Sequence, residues 1–247
     1  MGFLDGKIAV VTGAGSGMGK ASAMVLAREG AKMVLADITG KQEATAAEIG
    51  AAAIPMQCDI ADESQVSALV DLAVAKFGRL DAILNVAGIG IGAPIDNTSE
   101  ADLDRLIAVN MKGVYFGAKH AARAMKNNGG GAIINWSSIG GLVPGYGSGA
   151  YNMTKAAVTM MTRNFAIENG KDNIRCNAIC PGMMRTEGMG EPAIKHRPQL
   201  ETIAPLGRMG EPWECGELAA FLASDRAAYI TGALIPIDGG WSNRMAT

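Results

Sequence analysis

The sequence predicts an α/β protein: a single domain built on a doubly wound parallel sheet of about seven strands, with helices on both faces. Three observations carry this reading. Short aliphatic runs alternate with helical patterns along the whole chain. Glycines cluster where strands hand over to helices, with no fixed period. Hydrophobic residues make up 49% of the 247 residues against 19% charged, enough apolar material for one deep core.

The elements follow in order. "KIAVVTG" (7–13) is an apolar, β-branched run closed by glycine, and 17–29 is the helix behind it. "KMVLAD" (32–37) is the second strand, followed by a helix over 40–50. "AAIPMQC" (52–58) is the third, followed by a helix over 63–77. "DAILNVAG" (81–88) is the fourth, followed by one long helix over 99–127. "GAIINWSS" (131–138) leads to a helix over about 150–169, and "NIRCNAICPG" (173–182) is the sixth strand. Residues 183–208 mix Met, Gly, Pro and both charges, and read as a mobile substrate lid. A helix over 211–223 and the strand "GALIPIDGG" (232–240) close the chain, with no internal repeat or domain linker. Strict strand–helix alternation implies a parallel sheet covered on both faces. Helices 99–127 and 150–169 are apolar nearly all round, through Leu103, Leu106, Ile107, Val109, Val114, Phe116, Val158, Met161 and Phe165. A helix packed by one face should show a polar other face, so the surplus predicts a subunit interface.

Composition excludes several classes. Net charge is -2, from 24 acids against 22 bases, so no basic excess points to nucleic acid. Cys58, Cys176, Cys180 and Cys215 are too few and scattered for a disulfide framework and read as reduced, buried thiols. The N-terminus lacks a signal peptide's pattern, and Gly6 stands where a myristoylation motif wants Ser or Thr. No apolar run reaches the ~18 residues of a membrane span. A cytoplasmic protein is expected, and the sequons at Asn97, Asn135 and Asn152 read as accidental. No metal-ligand spacing occurs. His120 reads as structural and His196 as a solvated loop residue.

"TGAGSGMGK" (12–20) lies between the first strand and first helix, where a phosphate-binding turn belongs. G-x-G-x-x-G fails at Met18, Lys20 and Ser22, and a P-loop fails at Ala14 and Ala21. What remains is T-G-x-x-x-G-x-G, which makes Gly13, Ser16, Gly17, Met18 and Gly19 cofactor-binding candidates. Asp37, followed by Ile38, ends the second strand, where a carboxylate can accept hydrogen bonds from the adenosine ribose 2′-hydroxyl. A 2′-phosphate ~4 Å away would be repelled by about 4 kcal/mol at an effective dielectric of ~20. No Arg or Lys at 16, 18 or 38 compensates, which favours NAD over NADP. In "GAYNMTKAAV" (149–158), Tyr151 and Lys155 are one helical turn apart on one face. Lowering a phenol from ~10 to ~7 costs about 4 kcal/mol. An ammonium ~4 Å away supplies roughly that amount at the same dielectric.

Together, "TGAGSGMG", "NVAG" (85–88), "WSS" (136–138), "YNMTK" and "PGMMRT" (181–186) resemble the short-chain dehydrogenase/reductase family over residues 4–241. The resemblance implies a Rossmann-type fold, an NAD cofactor, a homotetramer and a set of roles. Tyr151 would be the acid/base, Lys155 would hold the nicotinamide ribose, and Ser138 would bond the substrate oxygen. Asn110 would bend its helix and hold a relay water. Asp59, with Ile60 beside it, would bind the adenine amine. Asn85, Ala87 and Gly88 would lie along the cofactor, and Pro181, Gly182, Met184 and Thr186 would hold the carboxamide and pyrophosphate side. Trp136 departs from the smaller residue usual before "SS"; it is expected to shape the pocket without touching the mechanism. Ile139, Leu142, Val143 and Tyr146, with Met183, Met184 and Met189, suggest an apolar substrate. The expected activity is NAD-dependent interconversion of a secondary alcohol and a ketone. The alternatives are reduction of a 3-oxoacyl carrier-protein thioester, or an idle NAD-binding interaction protein.

Overall fold

The computed structural model describes residues 2–145, 147–187, 199 and 202–243. Its strands are β1 (Ile8–Thr12), β2 (Lys32–Asp37), β3 (Ala53–Gln57), β4 (Ala82–Asn85), β5 (Gly131–Trp136), β6 (Ile174–Pro181) and β7 (Leu234–Ile237). They form one parallel sheet in the order β3-β2-β1-β4-β5-β6-β7. The chain winds from β1 to one edge and then from β4 to the other. The winding reverses between β1 and β4, and a crevice beyond the strand ends at such a point is where ligands bind.

The helices are α1 (Gly17–Arg28), α2 (Gln42–Ile49), α3 (Glu63–Phe77), α4 (Glu100–Leu106), α5 (Val114–Lys126), α6 (Gly149–Asn169) and α7 (Pro212–Ala223). Strand residues alternate between two cores, as a two-residue period dictates. Val11, Leu35, Leu84 and Ile134 pack with Leu26 of α1 and Leu222 of α7. Val10, Val34, Ile83 and Ile133 pack with Leu69 of α3 and Ala118 of α5. Each such side chain contributes about 1.5–3 kcal/mol on full burial. Local signals set the ends: α3 starts on Asp62, which accepts from Ser64 N at 2.9 Å, and stops at left-handed Gly78. His120 Nε2 lies 3.1 Å from Glu63 Oε1, which also pairs with Lys119, so this histidine ties α5 to α3. All four cysteines are buried, and burial pushes the thiols of Cys58 and Cys180 up to about 11. No helix among the described residues is long and apolar enough to cross a membrane.

Three expectations change. The fourth strand stops at Asn85, not at 88, because Val86 N and Ala87 N leave the ladder and donate to Thr12 Oγ1 at 3.0 and 3.1 Å. The fifth ends at Trp136 rather than 138. The helix expected over 99–127 is three segments, with a π-helix over Ile107–Gly113 between α4 and α5. A π turn takes in an extra residue without changing the apolar composition, so hydrophobic periodicity does not reveal it. Of the expected lid, the described ends are tied together: Arg185 N donates to Gly210 O at 2.8 Å and Gly210 N to Met183 O at 2.9 Å. Met189, His196 and the rest of the lid from 188 to 198 lie outside the described residues, as does Tyr146.

Candidate active site

A cleft of about 730 Å³ opens at the reversal point, lined by the turns that follow β1, β2, β3 and β4 and by one face of α4 and the π segment. Gly13 turns the chain out of β1 at φ +69°, and Gly17 opens α1 at φ +51°. A Cβ on Gly19 would lie 2.0 Å from Gly13 O, so the turn is as close as glycine permits. Ser16 caps α1 without a side-chain hydrogen bond, and the first turn holds no acid. The helix therefore keeps free N–H donors and a partial positive end for an anion, which fits a pyrophosphate. Gly19→Ala must displace the turn's backbone. Dinucleotide affinity should fall at least about tenfold, as one 1.4 kcal/mol step requires, and calorimetric titration checks it; unchanged affinity would mean that the turn is not the phosphate cradle.

At the far side of the cleft, Asp37 Oδ2 accepts from Gly15 N at 3.0 Å, and Oδ1 accepts from Thr39 N and Oγ1 at 2.9 and 2.7 Å. Each carboxylate oxygen keeps acceptor capacity for a ribose hydroxyl. Ile38 is 57% exposed there, an apolar surface for a flat ring. Asp59 Oδ1 accepts from Ala61 N, and Ile60 is buried beside it.

The other end of the cleft abuts the predicted catalytic residues. Gly88 packs so closely that a Cβ there would lie 3.1 Å from Asn110 Oδ1 and 3.3 Å from Lys155 Nζ. Asn110 sits in the π segment; it accepts from Ile89 N at 2.8 Å and donates to Ile89 O at 2.9 Å and Thr154 Oγ1 at 3.3 Å. It thereby ties the loop after β4 to α6. Tyr151 is the third residue of α6, and Ser138 follows β5. A side-chain hydrogen bond joins Ser138 to Tyr151.

The electrostatics differ from the sequence expectation. Lys155 is buried, and its Nζ donates to Trp136 O at 2.9 Å. It lies 5.7 Å from the Tyr151 ring centroid. Burial raises the Tyr151 phenol and the Ser138 bond offsets only part of that, while burial lowers the Lys155 ammonium to about 8. The expected depression of the phenol by the lysine charge is therefore not present: the ammonium's hydrogen bond goes to a carbonyl. Trp136 also departs from expectation. Its side chain is buried in the core, but its carbonyl anchors the lysine.

A family model described as enoyl-(acyl carrier protein) reductase matches residues 13–242. A solved short-chain type dehydrogenase/reductase from Mycobacterium marinum is similar with a TM-score of 0.91 and 36% identity, over 96% of each chain. The chain belongs to the short-chain dehydrogenase/reductase family. It is also 39% identical to cis-4-hydroxycyclohexanecarboxylate dehydrogenase of Sinomonas cyclohexanicum, over 96% of each chain. It is 37% identical to a 3-oxoacyl-(acyl-carrier-protein) reductase of Thermotoga maritima, over 96% of this chain and 98% of the relative.

Of the residues singled out in this short-chain dehydrogenase/reductase, Gly13, Ser16, Gly17, Met18, Gly19, Asp37, Ile38, Asp59, Ile60, Ala87, Gly88 and Thr186 line the cleft. Asn85 does not: it is 2% exposed and its Nδ2 donates to Asn135 Oδ1 inside the sheet. Met184 is buried against Gly210, Gly182 packs on Asp238 and Pro181 ends β6; none of the three is among the residues lining the cleft. Thr12 opens the T-G-x-x-x-G-x-G motif, whereas Arg105 was not among the residues singled out. Thr12 holds the Val86–Ala87 turn with its hydroxyl. Arg105, Ala108 and Val109 reach the cleft together, and the three- and four-residue spacing of one helical face was the signal available for them.

Proposed function

We propose that this oxidoreductase uses NAD to interconvert a secondary alcohol and a ketone, with Tyr151 as general acid/base. The observation that carries the reading is the contact of Gly88, a wall of the cleft, with both Asn110 and Lys155. It supports the reading by bringing Asn110 and Lys155 to one end of the crevice. Gly88, Asn110 and Lys155 would hold a nicotinamide at that end, and that group would supply the hydride chemistry. Tyr151 Oη gives its proton to, or takes it from, the substrate oxygen, and Ser138 Oγ donates a hydrogen bond to the same oxygen. Lys155 would hold the nicotinamide ribose hydroxyls, and its charge would then bear on Tyr151. At ~4 Å that supplies about the 4 kcal/mol needed at an effective dielectric of ~20. Asn110 holds the loop after β4 against α6, so that Lys155 and the cleft keep their spacing.

NAD rather than NADP follows from Asp37. Asp37→Asn removes the charge and keeps one acceptor oxygen for Gly15 or Thr39. The ratio of NADPH to NADH kcat/KM should rise ten- to a hundredfold, roughly what part of a ~4 kcal/mol repulsion gives at a half-exposed site. An unchanged ratio would remove Asp37 as the discriminating group.

The substrate is apolar and cyclic. Supporting this are Ile139 and Leu142 next to Ser138 and the similarity to a dehydrogenase whose name specifies a hydroxylated cyclohexane ring. The test is a panel of cyclic, aliphatic, steroid and sugar alcohols and an acyl thioester, with both cofactors. Oxidation of ring alcohols with NAD is expected. NADPH preference with an acyl thioester would support the carrier-protein reductase reading instead, which the Thermotoga maritima relative favours. The chain acts as a homotetramer through α5 and α6, where Tyr115, Met153, Met160 and Ile167 are exposed. Light scattering at the mass of four chains checks this, and a monomer overturns it.

A further inference from the structure

Arg105 stands apart from the other charged residues of the cleft. It is the single cation lining the cleft among the described residues, facing two acids, Asp37 and Asp59. Its guanidinium has no hydrogen-bond or ion-pair partner among the described residues, unlike Arg28, Arg79 and Arg208, which are all paired. It lies on the last turn of α4, exposed, with Ala108 and Val109 on the same face. It stands five positions before Asn110, at the junction of α4 with the π segment. It shares the cleft lining with the residues after β2 and β3: exposed Ile38 at 57%, Thr39, buried Ile60 and Ala61.

A guanidinium left unpaired beside isoleucines is suited to one kind of partner. It is planar, weakly hydrated and stacks on π faces. The cleft lining offers a ribose an acceptor at Asp37, and a purine an acceptor at Asp59 and apolar contact at Ile38, but no aromatic ring. We propose that Arg105 is a cofactor-affinity residue whose guanidinium stacks on the adenine ring and closes that end of the cleft. This rests on the dinucleotide reading above and extends it: the cleft would grip the adenine half by a stacked cation, separately from the phosphate turn and from Asp37.

The test is calorimetric titration of the full-length protein with NADH, NADPH, ADP-ribose and reduced nicotinamide mononucleotide, for wild type, Arg105→Ala and Arg105→Lys. Arg105→Ala should weaken NADH and ADP-ribose about fivefold, the scale of one partly exposed cation–π contact. It should leave the mononucleotide affinity and the NADPH-to-NADH affinity ratio unchanged. Arg105→Lys should recover little, since an ammonium has no plane to stack. Equal NADH affinity in Arg105→Ala and wild type overturns the proposal. So does a loss confined to NADPH, which would place the charge at a 2′-phosphate. Full recovery by lysine together with weakened mononucleotide binding also overturns it, in favour of a phosphate contact. Wild type that binds none of the dinucleotides overturns the dinucleotide reading itself, whereas tight NADH binding untouched by Arg105→Ala overturns only the stacking.

Discussion

Tyr151→Phe is expected to lower kcat by about 10³-fold, within the range of 10²–10⁴ for losing a positioned acid/base. NADH affinity should change by less than about threefold, because one hydroxyl in a site held by other groups contributes on the order of 0.5–1.5 kcal/mol. The geometry explains the asymmetry. Tyr151 lies on α6, held there by the helix itself and by the Thr154 hydroxyl, which donates to its carbonyl at 2.7 Å. Removing Oη leaves that backbone intact and strands only the Ser138 partner. The substrate oxygen then keeps one donor, Ser138, and loses the group that exchanges a proton with it. Steady-state kinetics on the best alcohol of the panel, with a titration of NADH, measures both quantities. Turnover within tenfold of wild type would mean that the proton moves by another route and that Tyr151 is not the acid/base.

Lys155→Met should be nearly as damaging to turnover, by about 10²–10³-fold, and should also change the protein's response to alkali. The ammonium is fully inside the structure, 4% exposed, and donates to Trp136 O. Its loss removes the charge that must offset Tyr151's desolvation and leaves that carbonyl without its donor. The thermodynamic signature has a definite sign. Burial lowers the lysine from 10.5 to about 8 in the folded chain. Between those two values the unfolded chain holds more protons than the folded one, so this group makes stability rise with pH. The desolvation penalty is fully present below pH 8 and is relieved as pH climbs toward 10.5. Met carries no proton, so the wild type should gain stability relative to Lys155→Met between pH 7.5 and pH 10, scans chosen to span the shift from 10.5 to about 8. Comparing the two proteins cancels the exposed lysines and buried thiols that titrate in the same window. Parallel melting curves across that range would show that Lys155 is not held in a desolvating environment.

The fold was legible because its signals are local and repeated. Each strand is an apolar run with a breaker after it, and the alternation with helices implies that the strands run parallel. The glycine turn at the mouth of the cleft was legible from glycine spacing, and the Tyr151–Lys155 pair from a single helical step. Element ends were less so. The fourth strand stops where Thr12, distant in sequence, takes the backbone donors of Val86 and Ala87, and nothing within 81–88 announces it. The π segment escaped hydropathy for a related reason, although the family resemblance put a bend at Asn110. Asn110 is bonded out to Ile89 and Thr154, and such a tether leaves no trace in hydropathy.

By itself the sequence determined the parallel α/β frame, and it supplied the residues proposed here for the pyrophosphate turn, the adenosine side and proton handling. Those depend on residue type and near-neighbour spacing, which the chain carries wherever it folds. Only the tertiary structure decided where charge goes. It sends Asn85 into the sheet, points Lys155 at the carbonyl of Trp136 instead of at the phenol, and brings unpaired Arg105 to the dinucleotide crevice. The physical reason is that electrostatic energy depends on distance and on exclusion of water, and both are set by contacts between residues far apart in the chain.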